Sequence, residues 1–381
     1  MKSDNRPTLR VLGIRGLPAA HGGFETFAEH FCLHLTQKGW RVVVYCQEEG
    51  DAPVRSDIWR GIERVFISVP QSGVFSSVIF DWKSITHAMQ TKDLCLTLGY
   101  NTAIFCARLR IRQIPNVINM DGIEWSRAKW GRVAKTWFWL NDWAGCWLGN
   151  HLIADHPEIK THLTSRVREE KITTIAYGAD PIGNVSDEPV KAMGLTPGRF
   201  MTVIARPEPE NSILEVVEGY CSRHRDVDLV VLGNYDSSNP YHQKVISAGA
   251  GKVKFVGAIY DKEVVHALRC HSLLYIHGHQ VGGTNPSLVE ALGAGNAVIA
   301  HDNKFNRWVA ADGARFFNGA NEFDSVLTEL LRDPDAIESM RHASKARFES
   351  HFTWNKILGD YERLMTAYLP AEQAALTSTA S

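Results

Sequence analysis

Residues 277–295 read HGHQVGGTNPSLVEALGAG, and they follow an apolar run, SLLYI, at 272–276. The run predicts a buried strand of a parallel sheet, and the stretch after it predicts a loop that leads into a helix. Gly282 and Gly283 allow the backbone of this loop to turn with positive φ and to approach a ligand closely. A strand, a loop and a helix in this order predict an α/β fold.

The residues at the start of this helix are typical of a helix N-terminus that binds an anion. Thr284 and Asn285 can cap the helix, and Pro286 suits its first turn. We expect free backbone amides there to point at an anion such as a nucleotide diphosphate. Glu290, one turn into the helix, is expected to accept hydrogen bonds from a ribose diol. The alternative is a structural α/β crossover with an exposed glutamate, and these residues alone favour neither.

Length and composition limit the class of protein. At 381 residues the chain is long enough for two or three domains of roughly 150 residues. A formal net charge of -1, with 44% hydrophobic and 22% charged residues, is typical of a globular protein and argues against a nucleic-acid partner. The opening MKSDNRPTLR has no apolar signal core, and no run of about 18 apolar residues is present that would cross a bilayer. We expect a cytoplasmic protein, with peripheral contact to the inner face of the plasma membrane left open.

The cysteines predict reduced core residues. They are scattered, mostly within apolar runs and without C-x-x-C spacing: Cys32, Cys46, Cys95, Cys106, Cys146, Cys221 and Cys270. A dispersed set of odd number favours neither disulfides nor a metal site.

Short apolar runs that end in glycine or polar residues recur along the chain. The first series lies at 9–14, 41–46, 65–69, 94–98, 117–120, 151–154 and 172–175. The second series lies at 200–205, 229–232, 253–256, 272–276 and 297–300. Strands separated by helical segments predict parallel sheets covered on both faces. The predicted organisation is an N-terminal domain 1–180, a linker 181–199, a C-terminal domain 200–353, a C-terminal helix 354–369 and a disordered tail 370–381.

A second glycine loop follows the first predicted strand. Gly22 and Gly23 precede a helical pattern through Phe27, Phe31 and Leu35. Ligands bind at the carboxyl ends of strands in doubly wound sheets, so this loop is a second candidate for ligand contact. The alternative is a turn that needs positive φ. The spacing is not the dinucleotide pattern G-x-G-x-x-G, which argues against a nicotinamide enzyme.

Four motifs occur in order along the chain: GIRGLPAAHGGFET at 13–26, DGIEWSRAKW at 121–130, ARPEPEN at 205–211 and HGHQVGGTNPSLVEA at 277–291. Together they resemble glycosyltransferase family 4, the retaining enzymes of GT-B fold, and within it a bacterial subgroup of polysaccharide rhamnosyltransferases. The resemblance covers nearly the whole chain. It implies two Rossmann-like, doubly wound α/β domains that face each other across a cleft, with the N-terminal domain on the acceptor side. It implies no metal and no cofactor.

Carried over by position, the resemblance places Arg206 as the clamp of the donor diphosphate. A planar guanidinium suits this role, because negative charge grows on the leaving group as the glycosidic bond breaks. The alternative is a surface ion pair with Glu208 or Glu210. The full set of expected substrate-binding residues is Gly22, Gly23, Arg206, Glu210, Asn211, His279, Gly282, Gly283, Thr284, Asn285 and Glu290.

Two positions depart from the family pattern. Gly282 stands where the first of two glutamates is usual, so the donor sugar must be recognised by backbone amides or by other side chains. Asn211 stands where a lysine often follows the clamp arginine. Lys304 or Arg307 can supply part of the missing positive charge.

Catalysis is indicated more weakly than binding. Asp121 and Glu124 follow a predicted strand end of the first domain, where a base or an acceptor-orienting carboxylate is expected. Acids at this spacing also occur at helix starts for purely structural reasons. The imidazoles of His277, His279 and His301 are expected near the donor, and a metal triad is the less favoured interpretation.

The resulting hypothesis is a retaining transferase that moves L-rhamnose from dTDP-rhamnose to a lipid-linked saccharide in polysaccharide assembly. Alternatives are another nucleotide-sugar donor, a nucleotide-sugar epimerase of related fold, or a binding protein without turnover.

A tryptophan-rich segment, about 128–148, predicts a helix with two apolar faces. One stripe contains Arg132, Lys135, Trp139 and Trp143, flanked by Lys129 and Trp147. The opposite stripe contains Trp130, Ala134, Trp137, Ala144 and Leu148. A basic and aromatic stripe suits the interface of an anionic membrane, whereas burial against protein is the alternative.

Overall fold

The computed structural model describes residues 6–20, 22–70, 74–127, 129–183, 185–369 and 373. These residues form two compact units, which divide after Ala176 and again after Thr353, so that the last helix belongs to the first unit. The predicted disorder of the tail concerns residues that, apart from 373, lie outside the described part of the chain.

The first unit contains a mostly parallel sheet. Its described strands are β1 (Thr8–Leu12), β2 (Arg41–Glu49), β3 (Arg55–Trp59), β4 (Ile62–Val69), β5 (Leu94–Leu98), β6 (Asn116–Asn119), β7 (His151–Ala154) and β8 (Ile172–Thr174). Their order in the sheet is β3-β4-β2-β1-β5-β6-β7-β8, and β3 runs antiparallel to β4 at one edge. Every residue of β1 and β5 is buried, as expected for central strands covered on both faces.

The described helices of this part are α1 (Gly23–Gln37), α2 (Val74–Ala88), α3 (Ala107–Ile111), α4 (Arg132–Leu148) and α5 (Pro157–Thr164). Helix α1 buries Phe27, Phe31 and Leu35, which recur at helical spacing. Gly39, with φ of 83°, follows its end and reverses the chain toward β2.

The second unit contains a parallel sheet and its own core. Its described elements are α6 (Glu188–Ala192), β9 (Phe200–Ile204), α7 (Ile213–Cys221), β10 (Asp228–Leu232), α8 (Pro240–Ala248), β11 (Val253–Gly257), α9 (Lys262–Cys270), β12 (Leu274–His277), α10 (Pro286–Gly293), β13 (Val298–His301), α11 (Lys304–Ala310), β14 (Ala314–Phe317), α12 (Ala320–Leu330) and α13 (Pro334–His351). The sheet order is β11-β10-β9-β12-β13-β14. Apolar side chains of β9, β10 and β12 pack against α7 and α12.

The last helix, α14 (Trp354–Ala367), packs within the first unit. The ring of Tyr361 lies 4.4 Å from that of Phe27, centroid to centroid, and its hydroxyl accepts a hydrogen bond of 2.7 Å from Asn119 Nδ2. The pattern at 354–369 predicted this helix, but its partners come from segments more than two hundred residues away.

Each predicted apolar run overlaps an observed strand, whereas β3 and β14 were not predicted. Strand β3 is largely exposed and is stabilised by pairing with β4, so it carries no apolar run. Strand β14 is only four residues long and contains an exposed arginine. Both are stabilised by pairing with a neighbouring strand, β4 for β3 and β13 for β14.

Part of the predicted linker 181–199 is packed. It contains α6, whose Val190 is buried together with Phe200 and Leu232 of the second unit. All seven cysteines are free thiols, and five of them are buried. In the part of the chain that the structure describes, no helix is long and apolar enough to cross a membrane.

Helix α4 buries a face that belongs to neither of the two predicted stripes. The face that it buries is formed by Asn141, Asp142, Gly145 and Cys146, not by the stripe that contains Trp137. The reason is tertiary: Asn141 Oδ1 accepts a hydrogen bond of 3.0 Å from the backbone amide of Ile104, and Asp142 pairs with side chains of the α5 region. Polar anchors therefore decide which face of this helix is turned inward.

Candidate active site

A pocket of about 170 Å³ lies in the second unit at the carboxyl ends of β9 and β12. Its lining contains Arg206, Asn211, His277, His279, Asn285 and Ser287. Parallel strands end at one edge of a sheet, so the loops after both strands meet there. The volume is below the roughly 300–1,000 Å³ of pockets that enclose a whole ligand, so this pocket fits one portion of a larger molecule.

Asn211 connects the two loops of the pocket. Its Nδ2 donates a hydrogen bond of 2.8 Å to the carbonyl of Arg206, and its Oδ1 is hydrogen-bonded to Nδ1 of His279. A Cβ atom at Gly278 would lie 2.0 Å from the carbonyl oxygen of Asn211, so only glycine permits this close approach. The expected substrate-binding amide is thus engaged in positioning Arg206 and His279.

Further bonds tie the same loops together. Ser212 Oγ donates to the carbonyl of Gly278 at 2.8 Å, and Gln280 Nε2 donates to Ser212 Oγ at 2.8 Å. Glu210 contributes its backbone, because its carbonyl accepts a bond of 2.9 Å from the amide of Gln280. The pocket wall is therefore braced before any ligand binds.

Arg206 is exposed at the mouth of this pocket. Within the described part of the chain no carboxylate forms an ion pair with it, so the alternative pairing with Glu208 or Glu210 is not found. By contrast, Arg307 is held by both oxygens of Asp302, at 2.5 and 2.8 Å, and is not a spare cation for the site. Arg206 is available to an anionic ligand.

His277 is buried in the pocket wall. Burial, together with the neighbouring His279 and His301, holds the pKa of His277 well below its usual value, so its ring is neutral near pH 7. Its Nε2 has no hydrogen-bond partner among the described residues. A buried polar atom without a partner is costly, and a ligand hydroxyl or phosphate oxygen would relieve that cost. Across the described ranges, no cluster of side chains has the composition of a metal site.

The start of α10 does not present the free amides that the sequence predicted. Asn285 caps the helix, and its Oδ1 accepts a bond of 3.0 Å from the amide of Ser287. Pro286 has no N–H group, and the amides of Leu288 and Val289 both donate to the carbonyl of Asn285. The first turn is therefore self-satisfied, which corrects the expectation, and an anion would contact the preceding loop.

That loop explains a departure from the family pattern. Gly282 has φ of 117°, a conformation that L side chains rarely adopt, and a Cβ atom there would lie 3.4 Å from His279 Nε2. A glutamate at this position would be strained in this backbone. Gly283 follows Gly282, and Thr284 is buried at the end of the loop.

Glu290 is paired with a buried arginine that sequence reasoning missed. Its Oε2 lies 2.5 Å from Nη2 of Arg269, whose side chain is only 4% exposed. The same guanidinium donates to Ser287 Oγ at 3.2 Å, and Ser287 Oγ is 2.6 Å from the hydroxyl of Tyr275. Arg269 lies in α9 and Glu290 in α10, with strand β12 between them in the chain, so no local sequence pattern relates the two residues. The ion pair engages one of the two carboxylate oxygens of Glu290, Oε2.

The N-terminal glycines lie at the start of α1, in the other unit. Gly22 has φ of 170°, which is extended backbone open to any residue, so a turn that needs positive φ is not the reason for it. Glu25, buried in the first turn, accepts a bond of 3.3 Å from the amide of Arg15 through Oε1. A carboxylate already occupies this helix start and disfavours a second anion. Contact of Gly22 and Gly23 with phosphate stays a prediction.

Asp121 and Glu124 have different environments. Glu124 is fully engaged, because Oε1 pairs with Arg127 at 2.5 Å and Oε2 accepts from Trp130 Nε1 at 2.7 Å. Asp121 follows β6 with φ of 51°, uncommon for a non-glycine residue, and burial raises its pKa. Of the two carboxylates, Asp121 is the one suited to proton chemistry.

The loop that carries Asp121 is anchored to α4. Trp125 Nε1 donates a bond of 2.7 Å to Asp142 Oδ2, and the same buried carboxylate is paired with His162 and Arg166. The sequence contains Trp125 in a motif, but nothing local relates it to Asp142. The acceptor-side candidate and α4 are therefore parts of one hydrogen-bonded assembly.

Solved structures of low sequence identity share this architecture. Sucrose-phosphate synthase from Thermosynechococcus elongatus has a TM-score of 0.79 at 14% identity, covering 94% of this chain and 98% of that one. Anabaena Alr3699/HepE in complex with UDP-glucose gives 0.74 at 14%, covering 94% and 99%. A UDP-forming trehalose-phosphate synthase from Burkholderia xenovorans gives 0.73 at 9%, covering 95% and 99%. The chain has the GT-B fold of two Rossmann-like domains, which confirms the predicted fold class.

Family models match two parts of the chain. Residues 200–347 match the model of Glycosyl transferases group 1, and residues 7–180 match Domain of unknown function (DUF1972). A comparison with curated proteins gives no match. The protein is a glycosyltransferase with a group 1 domain joined to a DUF1972 domain, and the predicted enzyme class is confirmed.

Proposed function

We propose that this glycosyltransferase moves L-rhamnose from dTDP-rhamnose to a lipid-linked saccharide during bacterial polysaccharide assembly, with retention at the anomeric carbon. The observation that carries the nucleotide-sugar part is the pocket of the second unit. There Arg206, without a carboxylate partner among the described residues, and the neutral imidazole of His277, whose Nε2 has no partner among them, line one pocket beside a glycine loop. A leaving diphosphate and a sugar hydroxyl are the groups that this combination fits.

We assign Arg206 to the diphosphate. Its charge does more for the reaction as the leaving group becomes more negative, because the interaction is then stronger in the transition state than in the ground state. Bracing by Asn211 supports the assignment, since a pre-positioned loop needs no reorganisation at the moment of reaction.

We assign His277 to a hydroxyl or phosphate oxygen of the donor, and Glu290 to the ribose. In Glu290 the pairing with Arg269 holds one carboxylate oxygen and orients the other. Asp121 is assigned to the acceptor hydroxyl, because a pKa above the ordinary aspartate range brings proton transfer closer to neutral pH.

The choice of rhamnose rests on the four motifs alone. UDP-glucose is the second candidate donor, because a structure similar to this one was solved with that ligand. The sugar-binding position Gly282 lacks a carboxylate in either case, so the donor hydroxyls are left to backbone groups and to histidine.

The test is a panel of dTDP-rhamnose, UDP-glucose and further nucleotide sugars, each with and without a lipid-pyrophosphate saccharide. We expect nucleotide release only when both substrates are present. The anomeric configuration of the transferred sugar, read by NMR, should be the same as in the donor. Conversion of the donor without acceptor would indicate an epimerase. Binding of the donor with no turnover on any acceptor would indicate a binding protein.

A lipid-linked acceptor places the reaction at a membrane surface. We therefore include peripheral contact with an anionic membrane in the proposal.

A further inference from the structure

The solvent face of α4 is more apolar than its buried face. Val133 is 86% exposed, Leu140 49% and Trp147 62%, whereas Asn141 and Asp142 are 1% and 2% exposed. A helix that packs on a sheet ordinarily buries its apolar side and exposes its polar side. Helix α4 is inverted in this respect, so its outer side is not explained by the fold of the unit.

Aromatic rings cover this outer side in a continuous row. Trp139 is exposed, and its ring centroid lies 6.1 Å from that of Trp143, which lies 5.3 Å from that of Trp147. Trp143 is half-buried beneath Arg166, so Trp139 and Trp147 are the rings that reach solvent. Of the predicted stripe, Arg132 and Trp139 are exposed whereas Trp143 is half-buried, and the flanking Trp147 is exposed.

The apolar surface continues beyond α4. Trp137 Nε1 donates to the carbonyl of Asn101 at 2.8 Å, beside the exposed Ile104. The next residue, Phe105, packs edge-on against the exposed Trp82 of α2, with 5.2 Å between ring centroids. We define the aromatic face as the six exposed residues Trp82, Ile104, Val133, Trp139, Leu140 and Trp147.

Basic side chains border the aromatic face. Arg108 lies 4.1 Å over the ring of Trp82, and Arg132 is exposed at the first turn of α4. At the other end Lys171 donates to the carbonyl of Cys146 at 2.7 Å, and burial, with a further contribution from the charge of the nearby Arg110, lowers the pKa of Lys171. Arg108 and Arg132 thus border the face as exposed or ring-bound cations, whereas Lys171 is half-buried and follows the exposed Glu169 and Glu170.

The charge of these segments is opposite to that of an anionic surface. Residues 74–88, 103–113 and 132–148 together contain six lysines and arginines but only two aspartates, in a chain of formal net charge -1. Both aspartates are engaged, since Asp81 accepts from Thr102 at 2.7 Å and Asp142 is buried and paired. No acidic group of these segments is left to oppose a negative partner.

We propose that the aromatic face docks on an anionic lipid surface, an inference that rests on the proposed lipid-linked acceptor. Indole rings favour the boundary between headgroups and acyl chains, while lysine and arginine meet the headgroups. The inner side of α4 holds Trp125, and with it the loop of Asp121. Docking through the outer side therefore brings the acceptor-side carboxylate next to the membrane.

The test uses the full chain in flotation with phosphatidylcholine vesicles and with vesicles that also contain phosphatidylglycerol. Wild type is expected to bind the anionic vesicles and to dissociate as salt is raised. Trp139→Ser with Trp147→Ser should reduce the partition coefficient at least tenfold. Arg110→Gln with Arg132→Gln should reduce it about fivefold per charge at low salt, which is ~1 kcal/mol for each cation.

Tyr260→Ser is the matched control, because Tyr260 is an exposed aromatic residue of the second unit outside the aromatic face. It should bind vesicles as wild type does. Circular dichroism and thermal melting establish that each variant is folded. Calorimetry with dTDP-rhamnose and UDP-glucose on the same proteins separates membrane docking from the proposed transferase function. Wild type and all variants should bind the donor equally. If none of these proteins binds either donor, the result counts against the proposed function and not against docking.

Three results would overturn the docking inference. The tryptophan double variant could float as wild type does, or wild type could bind neutral and anionic vesicles equally or not at all. Light scattering could also show a wild-type dimer that the double variant dissociates, without any vesicle binding, in which case the aromatic face is an interface between two copies of the chain.

Discussion

Replacing Glu290 by alanine is predicted to have two separable effects, on stability and on donor binding. Sequence alone predicts only the second, with the fold left intact. In the structure the substitution also leaves Arg269, 4% exposed, without its counter-charge. Breaking a buried pair from one side costs about 3–5 kcal/mol, and since Glu290 is 37% exposed we expect a smaller loss, about 1–3 kcal/mol, in the free energy of unfolding.

Donor binding should fall for a different reason. If Glu290 accepts a charge-assisted hydrogen bond from ribose, its loss costs about 1.5–3 kcal/mol, a roughly tenfold to hundredfold weaker affinity. Urea titration measures the first effect, and calorimetry with dTDP-rhamnose or UDP-glucose measures the second. Glu218→Ala, an exposed glutamate of α7, is the control and should change neither.

A double variant separates the two roles. Arg269→Met with Glu290→Leu removes cation and anion together, and replacing a buried pair by apolar side chains is often neutral for stability. We expect stability to recover while donor affinity stays reduced. A double variant with restored stability and wild-type donor affinity would refute the ribose assignment, because Glu290 would then be only the partner of Arg269.

Three further predictions concern turnover and pH. Arg206→Ala should lower kcat by about two to three orders of magnitude. Steady-state kinetics with near-normal kcat and only a raised KM would contradict the clamp. Burial raises the pKa of Asp121, so the kcat/KM profile of wild type should fall on its acid side at a pH above the ordinary aspartate range. Asp121→Asn should abolish this fall and leave donor affinity unchanged. A variant that keeps the fall would exclude Asp121 as the titrating group. His151 is buried between Thr173 and Tyr368, and desolvation lowers its pKa to about 4. As the pH falls, His151 binds a proton in the unfolded chain at a higher pH than in the folded chain. The free energy of unfolding should therefore fall as the pH drops from about 6.5 to 4, by up to ~1.4 kcal/mol per pH unit. Urea titrations of His151→Gln should show a shallower fall, and an identical slope would disprove this origin.

Local patterns in the sequence were enough for the architecture. An apolar run that ends in glycine or a polar residue reports a buried parallel strand, because both faces of such a strand are covered and its carboxyl end opens into a loop. The stretch at 272–295 contains the strand, the loop, the cap Asn285 and the helix, and all of these interactions are within a few residues of one another. The cap Asn285 also indicates that the amides of the first turn of α10 bond within the helix start, as they do with Asn285 in the structure.

The partners of the site residues depended on the tertiary structure. Arg269 of α9 and Glu290 of α10 meet only in the folded second unit, and Asn211 reaches His279 only because β9 and β12 are neighbours in the sheet. When another strand or helix lies between two residues in the chain, the number of residues that separates them does not predict whether their side chains meet.

Helix α4 shows the same division most clearly. Its periodicity defined two stripes from sequence, and the helical content followed from local spacing. The face that is turned inward belongs to neither stripe, and it is held by Asn141, through the amide of Ile104, and by Asp142, through Trp125 and Arg166. Hydrogen bonds and ion pairs to distant segments outweighed the burial of indole rings, because an unpaired buried carboxylate or amide costs more than an exposed apolar ring. The sequence by itself determined that α4 is a helix with two apolar stripes, and only the tertiary structure decided that a polar face is buried and that Trp139 and Trp147 face solvent.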